Sequence, residues 1–355
     1  MVLVLTNDDM EQIDQLPMTA IIGAMEDAYR ELGKGAAQNP PRRRLTLQAT
    51  DADNTYWFNN IMGAIPSLHT MALRIDSSFF RLVDLGGATR KVREGEFVGL
   101  VLLFNTASGA LTGILHDHYL STRRVAATGA LGAKYLARAD SRVMGLFGTG
   151  HQAAAQVVAM AAVRPLELIK VYSPNPEHRR AFVTRLQGEV DCEIRAVEGA
   201  RQVVDGSDVI VTATNSRSPV FDGGWLVPGM HVETIVGTDQ SAAGSEIDRE
   251  AVRRADLIVT GLKEQIQVDR QPKLLWAIEE GLLSWDQLHD LSEVVAGRTP
   301  GRTSAMQITL HDNNTGMGTQ FAALGALILE RAGQQGLGTE LPDALFATTG
   351  GDYAP

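Results

Sequence analysis

One glycine-containing stretch constrains the fold of this chain more than any other. Apolar residues beginning at Val143 lead to Gly148 and Gly150, and a small residue, Ala153, follows three positions later. This G-x-G-x-x-A spacing lies between an apolar strand pattern and a helical pattern, which is the context of a loop that binds dinucleotide phosphates. The glycines permit a tight turn and close backbone approach, and the helix N-terminus attracts anions. An ordinary glycine-rich turn is the alternative.

The region after this loop alternates between strand and helix patterns. Strands are expected at residues 143–147, 168–172, 193–197, 209–213, 232–236 and 257–260, with helices at 152–163, 177–188, 198–204 and 248–254. The pattern predicts an α/β fold with a Rossmann-type, doubly wound parallel sheet, which binds ligands at the carboxyl ends of its strands. The expected cofactor-binding residues are therefore Gly148, Thr149, Gly150, His151, Gln152, Ser173, Asn175, Thr212, Ala213, Thr214, Gly237 and Thr238.

The end of the second predicted strand bears on the choice between NAD and NADP. An acidic residue there would bind the adenosine ribose and favour NAD, but this strand ends at Ser173. Arg179 follows closely and could contact a 2′-phosphate. The sequence therefore favours NADP slightly over NAD.

The remaining segments predict a second domain of α+β type. A helix is expected over residues 10–33, strands over 71–75, 97–104 and 110–115, helices over 273–295 and a strand over 306–310. A long apolar helix at 317–332 is expected to pack back on this first part. We therefore predict a substrate-binding and dimerisation domain at residues 1–122 and 311–345, with a dinucleotide-binding domain at 123–310 inserted.

The composition narrows the classes of partner. The chain has 355 residues, with 32 Lys and Arg against 42 Asp and Glu, and the net charge of −10 argues against nucleic acid as a partner. Cys192 is the single cysteine, so an intrachain disulfide is impossible and a reducing, cytoplasmic location is expected. No apolar run approaches the length of about 18 residues that a membrane span needs. The N-terminus lacks the pattern of a signal peptide.

Arginines stand at unusual places in the first part of the chain. Arg42 follows two prolines, and Arg74 interrupts an apolar strand, where it must either face solvent or meet an anion. Arg124 lies in a helix predicted to begin at Ser121 or Thr122. A cation in a first helical turn is unfavourable, so an anionic ligand is expected nearby. Just before that helix, residues 116–118 (His-Asp-His) could bind metal, but no third ligand is evident and a polar turn is preferred.

Several stretches together resemble the ornithine cyclodeaminase/mu-crystallin family. They are NPPRRR, FVGLVLLFNTASGALTGIL, STRRVAATGALGAKYLAR, GLFGTGHQAAAQ, VTATNSRSPVFDGGWLVPGMHV and VVAGRTPGR. The resemblance covers about residues 6–332. It implies a homodimer, a Rossmann domain that binds NAD(P), and a first domain that carries the dimer contacts and substrate residues.

The resemblance also implies roles for particular residues. Arg124 matches an arginine that touches the substrate carboxylate and the cofactor, and Arg42, or less favourably Arg44, matches a second carboxylate ligand. Asp239 lies where the family has its catalytic aspartate. Arg74 replaces a family lysine that binds carboxylate, and we expect arginine to keep that grip while exchanging protons poorly. Residues 311–318, HDNNTGMG, replace the family's Phe-Lys-Ser-Val-Gly stretch.

The resemblance implies hydride transfer between a nicotinamide and the C–N bond of an α-amino or α-imino acid. In this hypothesis Asp239 and Arg74 are catalytic, and Arg42, Arg74 and Arg124 hold the substrate. Two alternatives remain: an ornithine cyclodeaminase that uses NAD catalytically and releases ammonia, and a non-enzymatic protein that binds a small molecule. The two departures from the family pattern make the identity of the substrate side chain open.

Overall fold

The structure is a computed structural model that describes residues 1–14, 16–48, 54–85, 88–235 and 244–348. Its strands, numbered in chain order, are β1 (Val2–Leu5), β2 (Arg43–Gln48), β3 (Thr55–Ile65), β4 (Thr70–Leu85), β5 (Ala88–Asn105), β6 (Leu111–His116), β7 (Val143–Phe147), β8 (Leu168–Tyr172), β9 (Glu193–Ala196), β10 (Val209–Thr212), β11 (His231–Thr234), β12 (Leu257–Thr260), β13 (Leu288–Asp290), β14 (Thr309–Asp312) and β15 (Thr339–Leu341). The α-helices are α1 (Asn7–Glu11), α2 (Met18–Gly33), α3 (Asp117–Leu136), α4 (His151–Ala161), α5 (Pro176–Leu186), α6 (Ala200–Val204), α7 (Arg249–Arg254), α8 (Lys263–Asp269), α9 (Pro272–Glu279), α10 (Leu291–Val295) and α11 (Gly318–Gln335). Short 3-10 helices lie at Pro66–Leu68, Gly223–Trp225 and Asp343–Leu345.

The strands form two sheets. The first has the order β15-β1-β6-β5-β4-β3-β2 and is mixed, because β1 pairs in parallel with β6 whereas the pairs from β6 to β2 are antiparallel. The second has the order β13-β12-β14-β11-β10-β7-β8-β9, and its pairs are parallel. These findings confirm the predicted doubly wound parallel sheet, and the mixed sheet belongs to the part of the chain predicted to be of α+β type.

Strand order places the ligand edge of the parallel sheet. The chain runs from β7 outward through β8 to β9, then returns to the other side of β7 and continues through β10 and β11. The order therefore reverses between β7 and β10, and ligands in such sheets bind at the carboxyl ends of the strands at that point.

Two long helices connect the sheets. α11 packs on β3, β4 and α2, which confirms that this terminal helix returns to the first sheet. α3 follows β6 directly and packs against α2 and α4, with further contacts to β11 and β14. The small residues of α3 let it lie close to all of these elements. Gly132 faces β14, where a Cβ would lie only 2.4 Å from His311 Nδ1.

Several predicted bounds of helices and strands were wrong. The helix expected over residues 10–33 is divided, because Pro17 lacks the N–H that a continuous helix needs, and α2 begins after it. The helical region 273–295 contains the short strand β13, and the strand expected at 306–310 lies at Thr309–Asp312. The predicted domain boundaries stay predictions; the one between residues 122 and 123 lies within α3, and the one between 310 and 311 lies within β14.

Within the described ranges, no helix is both long and apolar enough to cross a membrane.

Candidate active site

The glycine loop after β7 is shaped by close backbone contact. Gly148 has a φ of +111°, and a Cβ there would lie 2.2 Å from the carbonyl oxygen of Ala213. Its N–H donates to the Tyr172 carbonyl at 2.9 Å. Only glycine fits this position, since any side chain would be strained and would collide with backbone. The loop is therefore fastened to the ends of the two neighbouring strands, β8 and β10.

The start of α4 is open toward the same edge of the sheet. Gly150 precedes the helix, no side chain caps its first turn, and a Cβ at Gly150 would meet no atom within 4 Å. Thr149, His151 and Gln152 retain exposure, and the buried Gln152 Oε1 has no hydrogen-bond partner among the described residues. Ala153 is fully buried and packs the helix on the sheet. An uncapped helix N-terminus beside a glycine cradle fits a dinucleotide pyrophosphate.

The residues expected at the adenosine end are held by internal contacts. Asn175 caps α5 by accepting from the N–H groups of Glu177 and His178. Arg179 is buried, donates to the Ser173 carbonyl at 2.7 Å, and forms a 2.6 Å ion pair with Glu198. The guanidinium that favoured NADP at the sequence level is therefore engaged by a carboxylate.

A buried glutamate organises the loop after β10. Glu246 accepts from the N–H of Thr214 at 2.7 Å, from the Thr214 hydroxyl, and from the Thr212 hydroxyl at 3.2 Å. Burial raises the pKa of Glu246. Thr212 and Thr214 therefore turn their hydroxyls toward protein, and Ala213 presents its carbonyl to the glycine loop.

Three predicted site residues lie outside the described residues. They are Gly237, Thr238 and Asp239.

The helix that carries Arg124 begins earlier than expected. α3 starts at Asp117, and His116 caps it by accepting from the His118 N–H. Arg124 is thus its eighth residue, so the argument from a cation in the first turn was wrong, and so was the expected turn at 116–118. Imidazole is an unusual cap, which explains the error. Across the described parts of the chain, no group of three or more metal-binding His, Cys, Asp or Glu side chains comes together.

Arg74 meets an anionic environment made by the protein itself. It forms ion pairs with Asp76 and Asp117, both buried, and its Nε donates to Asp117 Oδ2 at 2.8 Å. Gly99 makes room for this arrangement, because a Cβ there would lie 2.2 Å from Asp117 Oδ1. Asn59 continues the network by donating to Asp76 at 2.9 Å. Arg74 is a counterion to two carboxylates before any substrate arrives.

Arg42 connects the two sheets. Its backbone N–H donates to Gln265 at 2.7 Å, and its guanidinium pairs with Asp269 at 2.5 Å, both on α8. The Arg44 guanidinium lies 3.6 Å from the same carboxylate, and its Nε donates to Asn59 at 2.8 Å. The predicted carboxylate ligand Arg42 therefore also has a partner within the protein.

Arg124 differs from both. Its Nη1 donates to the neutral Gln320 at 3.1 Å, its guanidinium lies 5.2 Å from the centre of the Phe321 ring, and its Nε is buried without a hydrogen-bond partner among the described residues. Nor does any described carboxylate form an ion pair with it. Burial lowers the pKa of Arg124 to about 9, and the charges of Arg74 and Arg42 act in the same direction. A buried guanidinium that forms no ion pair with a described carboxylate is costly, and an anionic ligand would relieve that cost.

The segment 311–318 brings α11 close to these arginines. A Cβ at Gly316 would lie 3.0 Å from Arg124 Nη1, and one at Gly318 would collide with the backbone of Met62 and Gly63. Residues 311–318, which differ from the family stretch, therefore lie against Arg124, a member of the arginine cluster formed by Arg42, Arg74 and Arg124. Sequence reasoning missed Asp76, Asp117, Asp269 and Gln320, which pair with these arginines or orient them. It also missed Glu246, which organises the loop after β10. A signal did exist for Asp117, which lies in the His-Asp-His stretch ahead of the predicted helix.

Comparison with known proteins gives a consistent result. The sequence profile described as "Ornithine cyclodeaminase/mu-crystallin family" matches residues 3–336. A putative dehydrogenase of Rhizobium meliloti is 33% identical over 342 residues, covering 95% of this chain and 97% of that protein. The Thermococcus litoralis Δ1-pyrroline-2-carboxylate reductase, solved with NADH and L-proline, superposes with a TM-score of 0.82 at 26% identity, covering 96% of this chain and all of that one. An archaeal alanine dehydrogenase dimer with bound NAD gives 0.78 at 25% identity, covering 96% and 99%.

Proposed function

The chain belongs to the ornithine cyclodeaminase/mu-crystallin family, and we propose that it is an NAD(P)-dependent oxidoreductase acting on the C–N bond of a small α-amino or α-imino acid. The observation that carries this proposal is Arg124, a buried guanidinium without a carboxylate partner in the described residues. A substrate carboxylate supplies the missing charge. Relatives named as a Δ1-pyrroline-2-carboxylate reductase and an alanine dehydrogenase support an imine reductase or amino acid dehydrogenase.

The nicotinamide cofactor, when bound, supplies or accepts the hydride. Gly148 would shape the loop beneath its pyrophosphate, which the backbone N–H groups of Thr149 and Gly150 and of the first residues of α4, His151 and Gln152, would hold. The protein's task is then to hold Cα of the substrate beside this edge of the sheet. Both NAD and NADP remain candidates, and the contact between Arg179 and Glu198 weakens the sequence-based preference for NADP.

The substrate-side residues divide into a ligand and its supports. Arg124 receives the substrate carboxylate, whereas Arg74 and Arg42 have internal carboxylate partners and surround it. Among the predicted residues, Asp239 is proposed as the group that moves a proton at the substrate nitrogen, as the family resemblance implies. Residues 1–122 and 311–345 form the proposed substrate and dimerisation domain, and 123–310 the cofactor domain.

We also propose a homodimer, supported by the exposed face of the first sheet. Period-2 alternation places buried residues and Arg74 on one face of β2 to β5, and an apolar, exposed set on the other. The exposed set is Leu45, Leu47, Met62, Phe79 and Val98. An apolar patch of this kind marks an interaction surface, and replacement of Leu47 and Val98 by Glu should yield monomers in analytical ultracentrifugation. A wild-type protein that sediments as a monomer would contradict this. The buried Cys192 accords with the proposed cytoplasmic location.

The deciding experiment is a substrate screen. Small 2-oxo acids mixed with ammonia or methylamine are tested with NADPH and NADH by the absorbance of the reduced nicotinamide, with L-ornithine and NAD as the control. We expect net oxidation of the cofactor with at least one imine. Ammonia release from ornithine without net cofactor change would identify a cyclodeaminase instead, and tight binding of ligands without turnover of any would favour a binding protein.

A further inference from the structure

Gln320 is a fully buried amide that joins three helices at the arginine cluster. It lies in the first turn of α11. Its Nε2 donates to Tyr29 Oη of α2 at 2.8 Å and to Thr128 Oγ1 of α3 at 2.9 Å. Its Oε1 accepts from Arg124 Nη1 and from the Met317 N–H, both at 3.1 Å. Both donors and both lone pairs of the amide are thus used within the protein.

The orientation of this amide follows from Thr128. The Thr128 hydroxyl donates its only proton to the Arg124 carbonyl at 2.8 Å, so it can only accept from Gln320. The nitrogen of Gln320 must therefore face Thr128, and the oxygen must face Arg124. The contact holds the guanidinium at one place by a single hydrogen bond.

Gln320 carries no charge, unlike the partners of the other two arginines. Arg74 is offset by Asp76 and Asp117, and Arg42 by Asp269. At Arg124 the corresponding acceptor is an amide of the same shape as glutamate but without its charge. Glutamate at this position would reach the guanidinium equally well and would cancel its charge.

We propose that Gln320 is a positioning residue that fixes Arg124 without neutralising it, and so reserves one uncompensated positive charge for the carboxylate of the substrate. The inference rests on the proposed function, because it deepens the role assigned to Arg124. It makes residue 320 a determinant of affinity for the substrate although it makes no contact with the substrate itself.

Two substitutions of similar size separate positioning from charge. Gln320→Glu adds a counterion for Arg124 and replaces the donor that faces Thr128 by an acceptor, whereas Gln320→Met removes all four hydrogen bonds and adds no charge. The probe is the imine formed from pyruvate and methylamine, reduced with NADH. We expect KM for this imine to rise about tenfold to a hundredfold in Gln320→Glu, because a charge-assisted contact is lost. The rise in Gln320→Met should be only a few-fold, with kcat changing less than KM in both.

Thermal unfolding should give the opposite order. The glutamate variant gains an ion pair with a buried cation and should be the more stable of the two, although it binds the substrate more weakly. A purely structural role would make stability and KM change together. NADH binding, followed by fluorescence, verifies that each variant has folded.

The outcomes are distinct. An active wild-type protein with equal KM values in the two variants would overturn this inference alone. A wild-type protein that reduces neither this imine nor any other α-imino acid would overturn the proposed function and this inference with it.

Discussion

The cofactor side and the substrate side of the candidate site are built in different ways. The glycine loop is one continuous stretch in which backbone groups make the surface, and Gly148 touches Ala213 through backbone alone. The arginine cluster is made of side chains from β4, α3 and the residue before β2, and its partners come from β4, α3, α8 and α11. The first construction depends on shape and the second on a balance of charges. Substitutions should therefore affect the two sides differently.

The largest effect is expected at Arg124. Arg124→Ala should lower kcat/KM about 100- to 1,000-fold, since it removes the charge that pairs with the substrate carboxylate. The free energy of unfolding should change little, because no carboxylate of the described residues forms an ion pair with the cation that is lost. Arg123→Ala is the matched control: Arg123 lies next to it on α3 but stacks on Tyr119 at 3.5 Å. Near-native kcat/KM in Arg124→Ala would sink the assignment.

The next effect concerns the charge balance around Arg74. Arg74→Met leaves Asp76 and Asp117 buried without their cation and should cost about 3 kcal/mol in the free energy of unfolding. Arg74→Lys, which restores the residue expected from the family, keeps the charge and should cost much less. Urea titrations of the two variants measure the difference. Equal losses would mean that packing, rather than charge, makes this position important.

On the cofactor side, we expect the fit of the glycine loop to its surroundings to determine the effect of a substitution. Gly148→Ala should destabilise the protein by about 2 kcal/mol, because the residue has a positive φ and its Cβ would collide with the Ala213 carbonyl. Gly150→Ala is the control, since its Cβ would meet open space. That variant should keep its stability but bind NADH more weakly, as the methyl group enters the space proposed for the pyrophosphate. Thermal unfolding and NADH fluorescence titration test the pair, and unchanged NADH affinity in Gly150→Ala would place the pyrophosphate elsewhere.

The smallest effect concerns cofactor preference. Glu198→Gln releases Arg179 from its ion pair and should raise the ratio of kcat/KM for NADPH to that for NADH about fivefold, the scale of an exposed ion pair. Glu177→Gln, which changes another exposed carboxylate nearby, should leave the ratio unchanged. A constant ratio in both variants would show that Arg179 does not face the ribose.

Sequence patterns were accurate where interactions are local. The strands β7, β8 and β12 have the predicted bounds, since apolar runs followed by glycine or polar residues specify buried parallel strands. They were less accurate where a charged stretch forms regular structure. β5 begins at Ala88, well before the apolar run that indicated it, because pairing with β4 stabilises its polar half. β13 is only three residues long and gives no periodic signal.

The sequence by itself determined the doubly wound sheet and the position of the glycine loop proposed to bind the dinucleotide, because both depend on residues adjacent in the chain. It also identified Arg42, Arg74 and Arg124 as unusual. Only the tertiary structure decided that the first two are offset by Asp269, Asp76 and Asp117, whereas Arg124 faces a neutral amide. The physical reason is that residues close in space, whatever their separation in sequence, determine whether a buried charge has a partner of opposite charge. The amide beside Arg124 is 196 residues away in sequence.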